Sequence, residues 1–258
     1  MTATNENPPI SAYIRTLNEE RMIGDVVRAA LCVAREVVVV DSGSADNTIP
    51  TAKAAGAKII EHTWLGNGHQ KRFAEDHCAH HWMLDLDADE IITKALAEEI
   101  KTLFEHGAPS CAAYRTNLAL APPVGAPWRA FGLATRHKLY DKHRIRPPAH
   151  QACDQFEITA DLKTGTLNEP LLHYAFTGIE QYLTKLNRNS SVRAKALPLK
   201  SKPYLAVRIL FGLPIYFLKV YILRQYFRGG IYGFGLALAS GIGRWLRDIK
   251  MWARHHQQ

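Results

Sequence analysis

The chain has 258 residues, of which 47% are hydrophobic and 22% charged, and its formal net charge is +8. This length and composition suffice for a full hydrophobic core, which excludes a disordered chain and favours one α/β domain with an appendage over two complete domains. The four cysteines form no C-x-x-C pair, which argues against a zinc site and a disulfide scaffold and favours reduced thiols in a cytoplasmic setting.

The N-terminal part of the chain predicts a strand, a helix and a second strand. The opening segment MTATNENPPISAYIRTLNEE has no basic stretch followed by an apolar core, so we expect no signal peptide. Within it, ISAYIRTL predicts a strand, and NEERMIGDVVRAALCVA has the apolar spacing of a helix. EVVVVDSGS predicts a strand that ends in a turn, and its four consecutive valines indicate burial on both faces, as in a parallel sheet.

The alternation of strands and helices continues to about residue 90. A helix is expected around NTIPTAKAAG, a strand at AKIIEHT, a helix from about Gln70 to His80 and a strand at HWMLDLDA. This order predicts an open parallel sheet with helices on both sides. Ligands of such sheets bind outside the carboxyl ends of the strands. Asp41 and Asp87 each close a predicted strand, so both are expected to face one crevice.

Four acidic residues crowd together in LDLDADE: Asp85, Asp87, Asp89 and Glu90. Carboxylates this close repel one another unless a cation or a donor-rich ligand lies between them. Asp87 and Asp89 suit a hard divalent cation that would neutralise a diphosphate, and a helix N-terminus that attracts acids is the alternative. For Asp41, a contact with ribose or a base competes with simple turn capping. A Rossmann dinucleotide site is disfavoured because no G-x-G-x-x-G follows the first strand.

The C-terminal segment, residues 201–258, is basic and aromatic. It holds nine Lys and Arg against one acidic residue, and eleven of the chain's aromatic residues, so it indicates a membrane interface rather than a nucleic-acid groove. YLAVRILFGLPIYFLKVYIL has the length of a membrane span, about 20 residues, but Arg208, Pro214 and Lys219 interrupt it. We therefore favour helices in the interface over a spanning helix. An ordinary packed helical pair is the third interpretation.

Four motifs occur in order along the chain: ISAYIRTLNEE, VVVVDSGSADNT, WLGNGHQKRFA and LDLDADE. Their order and intervals resemble those of inverting family 2 glycosyltransferases with the GT-A fold. The closest resemblance is to the lipopolysaccharide core β-glucosyltransferase subgroup, and it extends to LLHYAFTGIEQYLTKLNRNSSVRAKA and the membrane-associated tail. The resemblance implies an α/β GT-A nucleotide-sugar-binding fold with a mostly parallel central sheet over residues 1–200. It also implies that residues 201–258 form amphipathic membrane-associated helices.

The same resemblance implies roles for individual residues. Asn18 and Glu19 would lie near the nucleotide, and Asp41 would contact the uracil or the ribose. Asp87 and Asp89 match the D-x-D motif that holds Mn2+ or Mg2+ on the diphosphate, and Asp87 would also contact the substrate.

Two further candidate substrate contacts lie in WLGNGHQKRFA. Lys71 would offer a cation to a phosphate, and Gln70 would hydrogen-bond the donor. Arg72 stands where the family usually has asparagine, so this region departs from the pattern. The alternative for Lys71 is a solvated lysine in the first turn of a helix.

The residue expected to act as the catalytic base also departs from the family pattern. Where the family has a His-Glu pair, RIRPPAHQACDQFEI has His150 followed by Gln151. A neutral amide cannot accept the proton that an inverting transfer removes from the acceptor hydroxyl. Asp154, Glu157 or His150 would replace it, or the acceptor is an ionised phosphate that needs no base. We favour Asp154 as the catalytic residue.

The resemblance thus implies a metal-dependent inverting glycosyltransferase. It would move a hexose, with glucose as the expected sugar, from a UDP-linked donor to a lipid-linked saccharide such as the lipopolysaccharide inner core. The expected partners are the nucleotide-sugar donor, the lipid-linked acceptor and an anionic membrane surface, with no nucleic acid. The expected location is the cytoplasmic face of the inner membrane, peripheral or monotopic. A polyprenyl-phosphate acceptor and a catalytically degenerate membrane adaptor are the alternatives.

Overall fold

The computed structural model describes residues 7–151 and 153–255, and the chain packs as two compact units. The first unit comprises residues 1–118 and 134–173, and the second comprises residues 119–133 and 174–258. The sequence prediction placed a boundary at residue 200 instead. The packing boundary falls earlier because helix Ile179–Ala196 packs against the C-terminal helix Gly230–Arg254.

The first unit alternates strands and helices through its first half, as predicted. Its elements are β1 (Ile10–Thr16), α1 (Ile23–Leu31), β2 (Glu36–Asp41), α2 (Thr48–Ala54), β3 (Lys58–Glu61), α3 (Asn67–Asp76) and β4 (Trp82–Asp87). They are followed by β5 (Glu90–Ile91), α4 (Lys94–Phe104), β6 (Ala113–Leu120), β7 (Ala134–Asp141), β8 (Thr164–Thr166) and β9 (Leu171–His173).

Two helices have different bounds from those predicted. α1 begins five residues after Asn18, because Asn18 adopts a left-handed backbone conformation with φ of 54° and the following residues form a turn. α3 spans Asn67–Asp76 rather than the predicted Gln70–His80. Its earlier start is possible because the amide groups of Asn67 and Gly68 donate to carbonyl groups of the 150–151 segment.

The strands form one sheet in the order β3-β2-β1-β4-β7-β6-β9-β5, with β8 beside β6. β1, β2, β3 and β4 are parallel, and their register pairs Thr16 with Asp41 and Arg15 with Asp87. The carboxyl ends of β1, β2 and β4 therefore meet at one edge of the sheet, as predicted. Beyond β4 the sheet is mixed, because β7 runs antiparallel to both β4 and β6.

The core of the first unit is apolar around the parallel strands and contains one buried polar cluster. Val37, Val38, Val39 and Val40 are at most 1% exposed, which confirms the predicted burial of β2. The hydroxyl groups of Tyr13 and Tyr140 lie 3.0 Å apart, and the hydroxyl of Tyr140 donates to Glu75 at 2.8 Å. Arg146 forms an ion pair with the other carboxylate oxygen of Glu75. This cluster fixes the chain after β7 onto α3.

The second unit contains three long helices: α5 (Ile179–Ala196), α6 (Lys202–Leu218) and α7 (Gly230–Arg254). α5 and α6 both pack on α7. A π-helical turn extends α6 to Leu223. Among the residues that the structure describes, Lys202–Leu223 is the one helix whose length and composition would allow it to cross a membrane.

Candidate functional site

The loops after β1 and β2 are tied to each other at the carboxyl edge of the sheet. The side-chain oxygen of Asn18 accepts from the amide of Ala45 at 2.8 Å, and the amide of Asn18 donates to Ser44 Oγ at 2.8 Å. The amide of Glu19 donates to Thr48 Oγ1 at 2.8 Å. These bonds give the two loops one fixed arrangement. The predicted contacts of Asn18 and Glu19 with a nucleotide stay predictions.

Asp41 is fully buried at the start of the second of these loops. Its Oδ2 accepts from the amides of Gly43 at 2.8 Å and Ser44 at 2.7 Å, and its Oδ1 accepts from the Ser44 hydroxyl. Asp41 therefore caps the turn, as the alternative interpretation expected. Its predicted contact with uracil or ribose stays a prediction, because turn capping does not prevent the carboxylate from accepting a further bond.

The two candidate residues of α3 are buried and already bonded. Gln70 is fully buried, and its Nε2 donates to Ser42 Oγ at 3.1 Å and to the carbonyl of His62 at 3.2 Å. Lys71 is only 4% exposed, and its Nζ lies 2.6 Å from Asp85 and 3.2 Å from Asp154. The interpretation of Lys71 as a solvated surface lysine is wrong. Contacts of Gln70 and Lys71 with a donor stay predictions.

The segment that carries His150 lies directly on the N-terminus of α3. The amide of Gly68 donates to the carbonyl of His150 at 2.9 Å. A Cβ atom at Gly68 would lie 2.0 Å from the carbonyl oxygen of Pro148, so only glycine allows this approach. The His150 ring is exposed, and its Nδ1 accepts from the amide of Cys153 at 2.9 Å. Glu157, the other downstream acid considered as a base, is exposed on the same segment.

An ion-pair network surrounds Asp87. Arg15 Nη2 lies 2.6 Å from Asp87 Oδ1 and 3.4 Å from Asp154 Oδ2. Lys138 Nζ lies 2.6 Å from Glu90 and 3.9 Å from Asp87 Oδ2. Glu90 is 1% exposed and also accepts from the amide of Asp87 at 3.0 Å. Arg15 and Lys138 were not among the predicted site residues, although a single arginine at the end of the apolar strand ISAYIRT was a usable signal.

The basic groups of this network lower the pKa of two carboxylates, Asp87 and Asp154. Partial burial disfavours charge on Asp87, but Arg15 and Lys138 outweigh this effect and hold the pKa of Asp87 well below its usual range. Burial likewise disfavours charge on Asp154, and Lys71 and Arg15 again outweigh it, so the pKa of Asp154 is lowered. A carboxylate with a lowered pKa is a weaker base. The structure therefore gives Asp154 a fixed position, and its role as the base stays a prediction.

Asp87 is the last residue of β4, and Asp89 lies in the turn that leads to β5. The next helix, α4, begins only at Lys94, so the interpretation that these acids are drawn to the N-terminus of the helix that follows them is wrong. The ring Nε2 of His173, at the end of β9, lies 3.5 Å from Asp89 Oδ1. Burial opposes protonation of His173, but the bond to Asp89 outweighs it and raises the pKa of His173.

The donor atoms of this turn fit a divalent cation that arrives with a diphosphate. Asp87 and Asp89 supply hard oxygen donors, and their side chains are 39% and 15% exposed. Residues 7–151 and 153–255 contain no group of three or more His, Cys, Asp or Glu side chains placed to hold a metal by themselves. Mg2+ is commonly bound by one or two carboxylates together with substrate phosphates, and this pair provides such a half-site.

Comparison with known proteins places these residues in a family. The family model for glycosyl transferase family 2 matches residues 11–155, which include Arg15, Asp41, Asp87 and Asp154. An uncharacterized glycosyltransferase from Rickettsia felis is 35% identical over 94% of this chain and 89% of its own length. The lipopolysaccharide core biosynthesis glycosyltransferase LpsC from Rhizobium meliloti is 28% identical over 96% of this chain and 93% of its own length.

A solved structure of low sequence similarity was also found. Glucosyl-3-phosphoglycerate synthase from Mycobacterium tuberculosis, in complex with Mn2+, UDP-glucose and phosphoglyceric acid, is 15% identical. The match covers 76% of this chain and 84% of that chain, with a TM-score of 0.46.

Proposed function

The chain belongs to glycosyltransferase family 2, and from this premise we propose that it moves a hexose from a UDP-linked sugar to a lipid-linked saccharide, with inversion. One observation carries the proposal. The register of β1, β2 and β4 brings Asp41 and Asp87 to the same edge of the sheet, where ligands of parallel sheets bind. Glucose is the first sugar to test.

Asp87 and Asp89 would hold Mn2+ or Mg2+, with His173 beside Asp89. When bound, the metal stabilises the charge of the leaving diphosphate as a Lewis acid. Arg15 and Lys138 keep Asp87 ionised at neutral pH, so its carboxylate is ready to bind a cation. Arg15 and Lys138 would then share the carboxylate oxygens of Asp87 with the bound cation.

The remaining site residues would position the donor and the acceptor. Asn18, Glu19 and Asp41 would contact the nucleoside. Gln70 would support the loop after β2 through its bond to Ser42, and Lys71 would support the carboxylate of Asp154. Asp154 is the proposed base for the acceptor hydroxyl, with His150 as the second candidate. Asp154 lies within 3.4 Å of Arg15 and 3.2 Å of Lys71, so the site holds it in a defined position.

The acceptor is proposed to be the inner core of lipopolysaccharide. The similarity to the Rhizobium meliloti core glycosyltransferase over nearly the whole of both chains supports this choice. A membrane-bound acceptor also agrees with the basic, aromatic C-terminal segment and with a location at the cytoplasmic face of the inner membrane.

A polyprenyl-phosphate acceptor is the second candidate, and one observation favours it. The pKa of Asp154 is lowered by Lys71 and Arg15 despite its burial, and Gln151 stands where the family has an acid, so the site is poor in strong bases. An ionised phosphate needs no base. Product formed from an extract that contains polyprenyl phosphate but no saccharide core would select this alternative.

The test of the proposed donor site is calorimetric titration of UDP into the purified full chain. The titration is carried out with Mn2+ and repeated with a chelator. We expect binding that requires the metal. Absence of binding under both conditions, with folded protein confirmed by circular dichroism, would contradict a UDP-sugar donor and would favour another nucleotide or a degenerate adaptor.

A further inference from the structure

α6 and the turn that extends it expose an unusually apolar face. The residues of this face, here called the α6 stripe, are 48–74% exposed and follow helical spacing: Val207, Leu210, Phe211, Ile215, Leu218 and Leu223. Ile231, at the start of α7, is 88% exposed. Contiguous apolar surface of this kind marks an interaction site when it occurs on a folded protein.

The opposite face of α6 is packed on α7 along its length. Leu205 is buried with Met251 near one end of the helix, and Arg208 forms an ion pair with buried Asp248 at 2.9 Å. The indole of Trp245 donates to the carbonyl of Ile209 at 2.9 Å. α6 therefore cannot enter a new environment without α7.

The charge of the second unit indicates what the α6 stripe meets. Residues 119–133 and 174–258 contain fifteen Lys and Arg against two acidic residues. Lys202 and Lys219 are exposed near the two ends of α6, and Arg224 and Arg228 are exposed just beyond it. Apolar side chains flanked by cations complement a bilayer surface with anionic phosphate groups.

We propose that the α6 stripe inserts into one leaflet of an anionic bilayer, with α6 lying in the plane of the membrane rather than crossing it. This inference deepens the membrane partner of the proposed function. A spanning α6 would carry Arg208 and its partner Asp248 into the hydrocarbon. It would also carry Arg244 of α7, whose guanidinium lies 5.8 Å from the ring of Tyr216 on α6. Charged groups at that depth are strongly disfavoured, whereas a helix in the interface keeps all three at the polar side.

Binding to lipid vesicles tests whether the α6 stripe is the surface that contacts the bilayer. The full chain is sedimented with vesicles of equal phosphatidylglycerol and phosphatidylcholine, and with vesicles of phosphatidylcholine alone. Leu210→Glu and Leu223→Glu should each weaken binding to the anionic vesicles by about tenfold, because each replaces an exposed leucine that the bilayer would bury with a charged side chain. Val124→Glu is the matched control, since Val124 is 66% exposed in the same unit but outside the α6 stripe. Equal binding by all three variants would overturn the proposal.

Chemical labelling of introduced cysteines tests whether α6 lies in the membrane interface or crosses the bilayer. Ser201→Cys and Arg228→Cys, at the two ends of the segment, are introduced separately into a chain whose exposed Cys32 and Cys153 are replaced by serine. Sealed, everted membrane vesicles from expressing cells are treated with an impermeant maleimide, with detergent-opened vesicles as the measure of total thiol. A helix in the interface leaves both ends labelled without detergent. Labelling of only one end would show a spanning helix and overturn the proposal.

These two measurements use no nucleotide, so they separate the membrane inference from the proposed donor site. Leu210→Glu should bind UDP with Mn2+ as the wild-type chain does. A wild-type chain that binds vesicles through the α6 stripe but does not bind UDP would contradict the proposed function and support the membrane inference.

Discussion

Arg146→Met should destabilise the first unit by leaving a buried carboxylate without its cation. Glu75 is fully buried, and it pairs with Arg146 through one oxygen and accepts from Tyr140 at 2.8 Å through the other. Burial already raises the pKa of Glu75, although Tyr140 and Arg146 oppose this effect. Without Arg146, the carboxylate must either stay charged with weaker support or take up a proton.

Proton uptake by Glu75 sets an upper limit on the stability that Arg146→Met removes. Breaking a buried ion pair by removing one partner costs about 3–5 kcal/mol. Protonating a carboxyl group of ordinary pKa, about 4.3, costs about 3.7 kcal/mol at pH 7, at about 1.36 kcal/mol for each pH unit. Arg146 is 33% exposed, so water can partly replace its side chain. We therefore expect a loss of about 2 to 3.7 kcal/mol in the free energy of unfolding at pH 7.

The loss should depend on pH in one direction. A carboxyl group whose pKa is raised in the folded state favours folding most below its unfolded pKa, and this contribution is lost as the pH rises through the folded value. Lowering the pH to 5 reduces the cost of proton uptake to about 1 kcal/mol. The difference between Arg146→Met and wild type should shrink accordingly.

Urea unfolding at pH 7 and pH 5 measures both effects, provided that the m-value is unchanged. Adding Glu75→Gln to Arg146→Met should recover most of the loss, because no charge is then left buried. Lys101→Met removes the surface ion pair of Lys101 with Glu98, 3.0 Å apart, and should change stability by at most about 0.5 kcal/mol. A loss under about 1 kcal/mol at pH 7, or an equal loss at pH 5, would refute the reasoning.

Three further variants probe the site. Asp89→Asn should weaken Mn2+-dependent UDP binding by about tenfold in calorimetry. The control Asp25→Asn, on the surface of α1, should leave this binding unchanged. If Asp89→Asn responds to Mn2+ as the wild-type chain does, Asp89 is excluded as a metal ligand. Asp154→Asn should lower kcat by about 10²–10⁴ if Asp154 is the base, and wild-type turnover would remove it from that role. Gly68→Ala should lower the free energy of unfolding by about 1–3 kcal/mol, because the new Cβ would lie 2.0 Å from the carbonyl oxygen of Pro148. Gly178→Ala, which has open space around the Cβ position, should leave the stability unchanged in the same thermal or urea unfolding measurement.

The sequence predicted the α/β class and the first four strands because the signals for these elements are local. A run of valines marks β2 as buried on both faces, and alternating apolar and helical patterns mark the elements around it. The same patterns placed Asp41 and Asp87 at strand ends, and the parallel register brought both to one edge. The four motifs also identified the family.

The start of α3 and the division into units depended on contacts between distant segments. Gly68 allows α3 to begin against the 148–151 segment, about 80 residues further along the chain, and no local pattern signals that approach. Residues 179–196 have a helical pattern, but their membership in the second unit follows only from their packing on α7.

The sequence by itself placed Asp41 and Asp87 at one edge of the sheet, and tertiary structure decided which cations the acidic residues there meet. Arg15 reaches Asp87 across 72 residues because β1 and β4 are neighbours in the sheet. Lys138 lies on β7, the strand on the other side of β4, and reaches Glu90, which follows the end of β4, across 48 residues. Strand order and register are set by the burial of the whole sheet, so charge pairs between strands cannot be derived from the spacing of residues along the chain. Arg15 and Lys138 lower the pKa of Asp87, whereas burial raises the pKa of Glu90 in spite of Lys138.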